Sequence, residues 1–171
     1  HVEGDTVGAQ HLAAHLPHHR RSDHGARVDD TSLPVVALAV GGVRRRDGVG
    51  VATEHLLEQG FKRIAVLAGP KNLGVSNMRV EGYLNALKKH HIKKEDSLII
   101  HCDFNQDYAY FATLELLAMK NRPDAIFTIS DRMAIGAMLA IKEKGLQMPQ
   151  DIGLVGFNNE PVVSLVTPQI S

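Results

Sequence analysis

With 171 residues, 44% of them apolar, the chain can bury one sizeable core and is too apolar for a disordered tail. Lysine plus arginine equals aspartate plus glutamate at 19 each, so overall charge argues for neither a nucleic-acid nor an anionic membrane partner. One cysteine, Cys102, excludes an internal disulfide, and no apolar run nears the roughly 20 residues of a spanning helix, which leads us to expect a soluble, cytoplasmic protein without membrane contact.

The first 50 residues hold six of the ten histidines and six of the ten arginines, yet no lysine, isoleucine, phenylalanine, tyrosine, asparagine or methionine. The remaining 121 residues use all of these. So abrupt a change of usage predicts that residues 1–47 are an atypical segment, frame-shifted or foreign, with little order. Only Ser32 to Val40, "SLPVVALAV", reads there as a strand. His11 and His15 would share a helix face, but Pro17 interrupts it and no thiolate or carboxylate stands at ligand spacing. No metal site is expected, and Arg44 to Arg46 read as an exposed basic loop.

From residue 51 the pattern is regular. "VATEHLLEQG" places Ala52, Leu56 and Leu57 at helical spacing and stops at Gly60. Ile64 to Ala68 is a continuous apolar run of strand length. Val80, Tyr83, Leu84 and Leu87 follow at i, i+3, i+4 and i+7, an amphipathic helix. "SLIIHC" is a second strand and Tyr108 to Lys120 the next helix. "DAIFTIS" is a third strand, followed by a helix with Ala134, Ala137, Met138 and Ile141 on one face and Gly145 at its end. "DIGLVGF" is the fourth strand.

Strands apolar on both faces, each followed by a helix, require a parallel sheet covered on both sides. The expected fold is α/β, an open doubly wound parallel sheet with helices on both faces. Ligands of such sheets bind at the carboxyl ends of the strands. Those ends deliver Arg79, Phe104, Ser130, Asp131 and Asn158 to one rim, with Phe157 beside the last. A guanidinium placed in the first turn of its helix, against the helix dipole, points to a ligand or a carboxylate partner. Phe104 and Phe157 offer flat apolar faces suited to a sugar ring or a base. Together these groups describe a hydroxyl-rich ligand held by planar hydrogen-bonding side chains.

Enzyme chemistry finds less support. "GPKNLG" lacks the Lys-Ser/Thr that a phosphate-binding loop needs after its second glycine, since Val75 and Ser76 follow. Cys102 and His101 are neighbours on a strand and point to opposite faces, so Cys102 reads as a packed thiol. Asp103 reads as a helix cap or loop hydrogen-bonder. No nucleophile, base and orienting group converge, and neither an activity nor a cofactor is expected.

Several of these stretches, in this order, resemble one family. "ATEHLLEQGFKRIAVLAG", the R-x-x-G-Y of "RVEGYLNAL", "PDAIFTISDRMAIGAMLAIKEKGLQMPQDIGLVGFNN" and "TPQIS" are similar to the effector-binding core of lac repressor (LacI/GalR) transcription regulators. That core has the periplasmic sugar-binding-protein fold, and residues 48–171 would be mainly its C-terminal subdomain. The resemblance implies a ligand site formed by Arg79, Phe104, Ser130, Asp131, Phe157 and Asn158. It also implies a sugar-like effector, a homodimer, and operator DNA contacted only through a helix-turn-helix that nothing here matches. Two positions depart from the family pattern: Asn158 replaces the usual aspartate after "VGF", and Ser130 the usual asparagine before "D-x-M-A". A sugar-binding protein of a transporter, with the same fold, is the alternative reading.

Overall fold

The computed structural model describes residues 48–157. The expectations for residues 1–47, for Asn158 and for "TPQIS" lie outside the described residues.

The chain enters on α1 (Gly48–Glu58), which buries Val49, Ala52 and Leu56 along one stripe. Thr53 is buried as well, its hydroxyl donating to the Val49 carbonyl at 2.9 Å. Gly60, at φ 96°, ends the helix as expected: its N–H bonds the Leu57 carbonyl and the Phe61 N–H bonds that of Leu56. Then come β1 (Ile64–Ala68), α2 (Gly74–Lys89) and β2 (Ile99–His101). They are followed by α3 (Gln106–Ala118), β3 (Ala125–Thr128), α4 (Asp131–Glu143) and β4 (Gly153–Val155).

All strand pairs are parallel, in the order β2-β1-β3-β4. The chain steps to one side of β1 to make β2 and to the other side for β3 and β4. Right-handed crossovers therefore put α2 on one face and α3 and α4 on the other. Consistent with this, α1 packs on α2 and α3 on α4. β1, β3 and β4 are buried throughout, the signature of a sheet covered on both faces. Each fully buried aliphatic side chain here, such as Ile64 or Leu154, stabilises by about 1.5–3 kcal/mol.

Several elements differ from their expected extents, two of them for visible reasons. The second strand keeps only three half-buried residues, because it is the sheet edge with β1 as its one neighbour and Leu98 is held in a 3-10 turn, Asp96–Leu98. The third helix starts two residues early, at Gln106, because the Asn105 side chain caps it by accepting from the Asp107 N–H at 2.7 Å.

Helix α2 ends with the same pair of bonds as α1, but the left-handed position is His91, at φ 57°. An imidazole Cβ is disfavoured in that conformation and glycine is not. His91→Gly is expected to raise the unfolding free energy by about 0.5–1 kcal/mol, read from the midpoint of a urea titration.

The Tyr83 phenol, buried under α2, donates to the Ile64 carbonyl at 2.8 Å. Burial, followed by the charge of Glu95, pushes it up to about 12 against the opposing pull of Arg63. The folded state thus holds this proton more tightly than the unfolded chain, where a phenol ionises near 10. Stability is fully present below about pH 10 and falls as pH rises from there toward 12. Tyr83→Phe should flatten that part of the alkaline profile; an unchanged profile in chemical denaturation at pH 9–11 counts against the assignment.

Candidate functional site

The register sets the strand ends level. Ala68 lies opposite His101, Leu67 opposite Thr128, and Phe127 opposite Val155. The segments after them, from Gly69, Cys102, Ile129 and Gly156, therefore share one rim. At the other end of the sheet Asp124 accepts from the Lys62 and Arg63 N–H groups at 2.8 and 2.9 Å, which closes the amino ends with the chain's own bonds.

Arg79 reaches the rim from α2. Because that helix begins at Gly74, Arg79 is its sixth residue and not in the first turn as expected. The dipole argument fails, since that field decays within one turn. What the guanidinium does is visible instead: Nη1 donates to the Ile129 carbonyl, and the group stacks over the Phe157 ring, 4.2 Å from its centroid. Arg79 thereby ties the ends of β3 and β4 together. Such a contact adds about 0.5–2 kcal/mol and holds the donor fork in place.

Ser130 and Asp131 stand where β3 turns into α4, Ser130 nearly buried and Asp131 fully so. Ser130 is the N-cap residue by position but makes no side-chain capping bond; its carbonyl accepts from Thr128 Oγ1 at 3.1 Å. Phe104, about a third exposed, lies over Gly69, at the end of β1. A Cβ on Gly69 would come within 2.5 Å of its ring and of the Ser76 hydroxyl, so any larger residue there must push these side chains aside. Asp103 does not cap α3; Asn105 does. Thus Arg79, Phe157 and the β3 end converge, Phe104 covers the β1 end, and Asn158 lies outside the described residues.

Two further groups at this end were not among the site residues expected from the sequence. His101 Nδ1 sits 3.0 Å from the Gly69 carbonyl. Ser76, in the first turn of α2, is fully buried, and its hydroxyl has no hydrogen-bond partner. Nothing local to "LGVSN" signals that burial, because Gly69 and Phe104 create it. Cys102 is half-buried against the core as expected, and burial, then Asp103, pushes its thiol up to about 11, far from nucleophilic.

Elsewhere, a hollow of about 280 Å³ lies between α1 and α2, lined by Val51, Glu54 and Asn85 among others, and one of about 230 Å³ lies along α2, lined by Met78, Glu81, Gly82 and Asn85. They lack a convergent set of donors, so the chemistry points to the strand ends. Among the described residues no three His, Cys, Asp or Glu side chains are grouped to hold a metal ion, and no helix is long and apolar enough to cross a membrane.

Residues 53–171 match the periplasmic binding protein-like domain family. The chain belongs to that family, and its relatives and structural neighbours include LacI-family regulators. It is similar to the probable HTH-type transcriptional repressor ExuR of Bacillus subtilis (strain 168), 36% identical over 126 residues. The match covers 74% of this chain and 38% of that protein, so the chain spans less than half of this relative's length. A LacI-family regulatory protein from Chloroflexus aggregans superposes with a TM-score of 0.72 at 36% identity, over 74% of this chain and 46% of that one. The transcriptional regulator CelR in complex with cellobiose gives 0.70 at 31% identity, over 74% and 38%. The α/β fold and the regulator resemblance expected from the LacI-like stretches both hold.

Proposed function

We propose that this chain is the ligand-sensing part of a LacI-type repressor. A small carbohydrate-like effector binds at the carboxyl ends of the strands, and its binding changes affinity for operator DNA through a helix-turn-helix unit. Residues 48–171 would form most of one subdomain of a two-jaw clamp. The observation that carries the reading is the Arg79 fork, anchored on the Ile129 carbonyl and stacked on Phe157 where two strands end. A rigid planar donor beside an aromatic face suits a ring with hydroxyl groups. Ser130, Asp131, Phe104 and Asn158 complete the proposed contact set. The CelR–cellobiose likeness supports a sugar-like effector, and repressor relatives favour regulation over transport or enzymatic turnover.

Effector and operator are linked as two sites on one population shift, so each ligand alters affinity for the other. Calorimetric titration against a panel of sugars and nucleosides tests the reading. Saturable binding with the ligand recovered unchanged supports it; conversion of the ligand to product contradicts it. Asn158→Ala should weaken that binding by about 1–3 kcal/mol with little change in melting temperature.

A homodimer is part of the proposal, with the α3–α4 pair as its surface. Tyr108 and Phe111 on α3 and Leu139 on α4 are 56%, 61% and 43% exposed, large apolar groups a monomer seldom displays together. Tyr110 braces Phe111 edge-to-face at 5.1 Å and donates its phenol to Glu143 of α4. Phe111→Glu is expected to shift sedimentation toward the monomer without unfolding. Equal association of variant and parent would move the dimer surface elsewhere.

A further inference from the structure

We infer that the exposed row of α2 that runs past the start of α1 is a docking surface for the chain's own arginine run, residues 43–46, Val-Arg-Arg-Arg. This surface takes no part in the proposed effector site.

Helices α1 and α2 run in the same direction: Gly50 meets Gly82, and further along both helices Lys89 Nζ donates to Glu54 at 2.7 Å. The first of these approaches is close, since a Cβ on Gly82 would stand 3.2 Å from the Gly50 nitrogen. Val75, Met78, Gly82 and Asn85 follow at spacings of three and four and form one row along α2. Gly82 and Asn85 lie beside α1 and line the larger hollow with Gly50 and Val51. The smaller hollow shares Gly82 and Asn85 and adds Met78 and Glu81, so the two form one trough. Met78 and Val75 lie about 6 and 10 Å from Gly82 along the axis, toward the N-terminus of α2. That carries them past Gly48, where α1 begins, and they are 43% and 41% exposed.

The direction of α1 decides what comes next to them. The chain arrives at Gly48 from the side of the α2 N-terminus, and residues 43–46 stand two to five places upstream, within roughly 7–18 Å of it when extended. This reach includes the level of Met78 and Val75. The chemistry also matches. Val43 adds an apolar side chain, and arginine stems cover apolar surface while their guanidinium heads stay in water. Glu81, exposed beside Met78, has no ion pair with another described residue, whereas Glu54 at the far end of the trough is already held by Lys89. A tether this short keeps the local concentration of the arginines high, so contacts of ordinary surface strength are enough to hold them.

Arg44, Arg45 and Arg46 are trypsin sites, so docking is read as protection. The test is trypsin digestion of the 171-residue chain, with the cuts after these three residues followed by mass spectrometry and a free peptide of residues 36–50 as the unprotected reference. Cleavage about tenfold slower in the chain than in the peptide is expected, because cutting follows the population of the open state. Met78→Asp and Glu81→Arg, at exposed positions where thermal melting should show an intact fold, are each expected to remove about half of that protection or more. Leu139→Asp, on α4 at the opposite face of the sheet, should leave it unchanged. Cutting at the peptide's rate, protection indifferent to both α2 variants, or an equal loss in Leu139→Asp overturns the inference. Protection that grows with chain concentration also overturns it, by seating the arginines of one copy on another.

Discussion

Gly136→Ala is expected to lower the unfolding free energy by about 2–3 kcal/mol, although alanine is the better helix former by about 1 kcal/mol. The reason is the close approach of α4 to the α3 backbone at this position. A Cβ at Gly136 on α4 would collide with the Gln106 carbonyl oxygen, and would lie 3.0 Å from both the Gln106 carbonyl carbon and the Tyr110 nitrogen on α3. All three are backbone atoms, so no side chain can rotate to make room. The helices must separate, and the buried contacts of Ala109, Ala137 and Ala140 loosen with them. Gly74→Ala is the control: a Cβ there meets nothing within 4 Å, and the same substitution should be neutral or stabilising. Equal urea midpoints for the two variants would contradict the packing. Since α3 and α4 also carry the proposed dimer surface, Gly136→Ala should weaken self-association as well.

Arg79→Ala is expected to weaken effector binding by about 2–3 kcal/mol, roughly 30- to 150-fold, the range for losing a charged hydrogen-bonding group. Arg79→Lys should recover little, because an ammonium supplies no planar fork and stacks poorly on Phe157. The substitution also removes the tie between the Ile129 carbonyl and the Phe157 ring, so a drop in stability of about 1 kcal/mol accompanies it. That smaller loss is what separates a binding role from a structural one. Calorimetry and thermal melting on the same samples distinguish them: unaltered affinity with a sharply lowered melting temperature would make Arg79 a strut.

The layer structure was legible because its signals are local. Ile64–Ala68 and Ala125–Thr128 are uninterrupted apolar runs, and Gly60 and Gly145 mark two helix ends with the positive φ that glycine accepts. Strand order is not local, so nothing in "SLIIHC" announced that it would be the edge, half-exposed and only three residues long. The start of α2 was hidden for a related reason: Leu73 is no capping residue, so the helix begins without a signature and Arg79 falls a turn deeper than expected. His91 concealed a helix end in the same way, by occupying a position where glycine is the usual signal.

The rim itself followed from topology. A parallel sheet forces its loops to the carboxyl ends, and that alone selected Arg79, Ser130, Asp131 and Phe157. Which groups would touch was not accessible. Arg79 on Phe157 depends on the β3–β4 pairing, and Phe104 over Gly69 on the β1–β2 pairing, both contacts between segments far apart in the chain. Ser76 required both the helix start and the Phe104 roof before its buried hydroxyl could be recognised.

The central claim is that ligand is sensed at the strand ends. A crystal structure of the chain with its tightest-binding compound from the sugar and nucleoside panel tests this most directly. The account predicts density for the unaltered compound against Arg79 and Phe157, at the ends of β3 and β4. Density confined to the hollows along α2 and between α1 and α2, with the Arg79–Phe157 stack untouched, would contradict it.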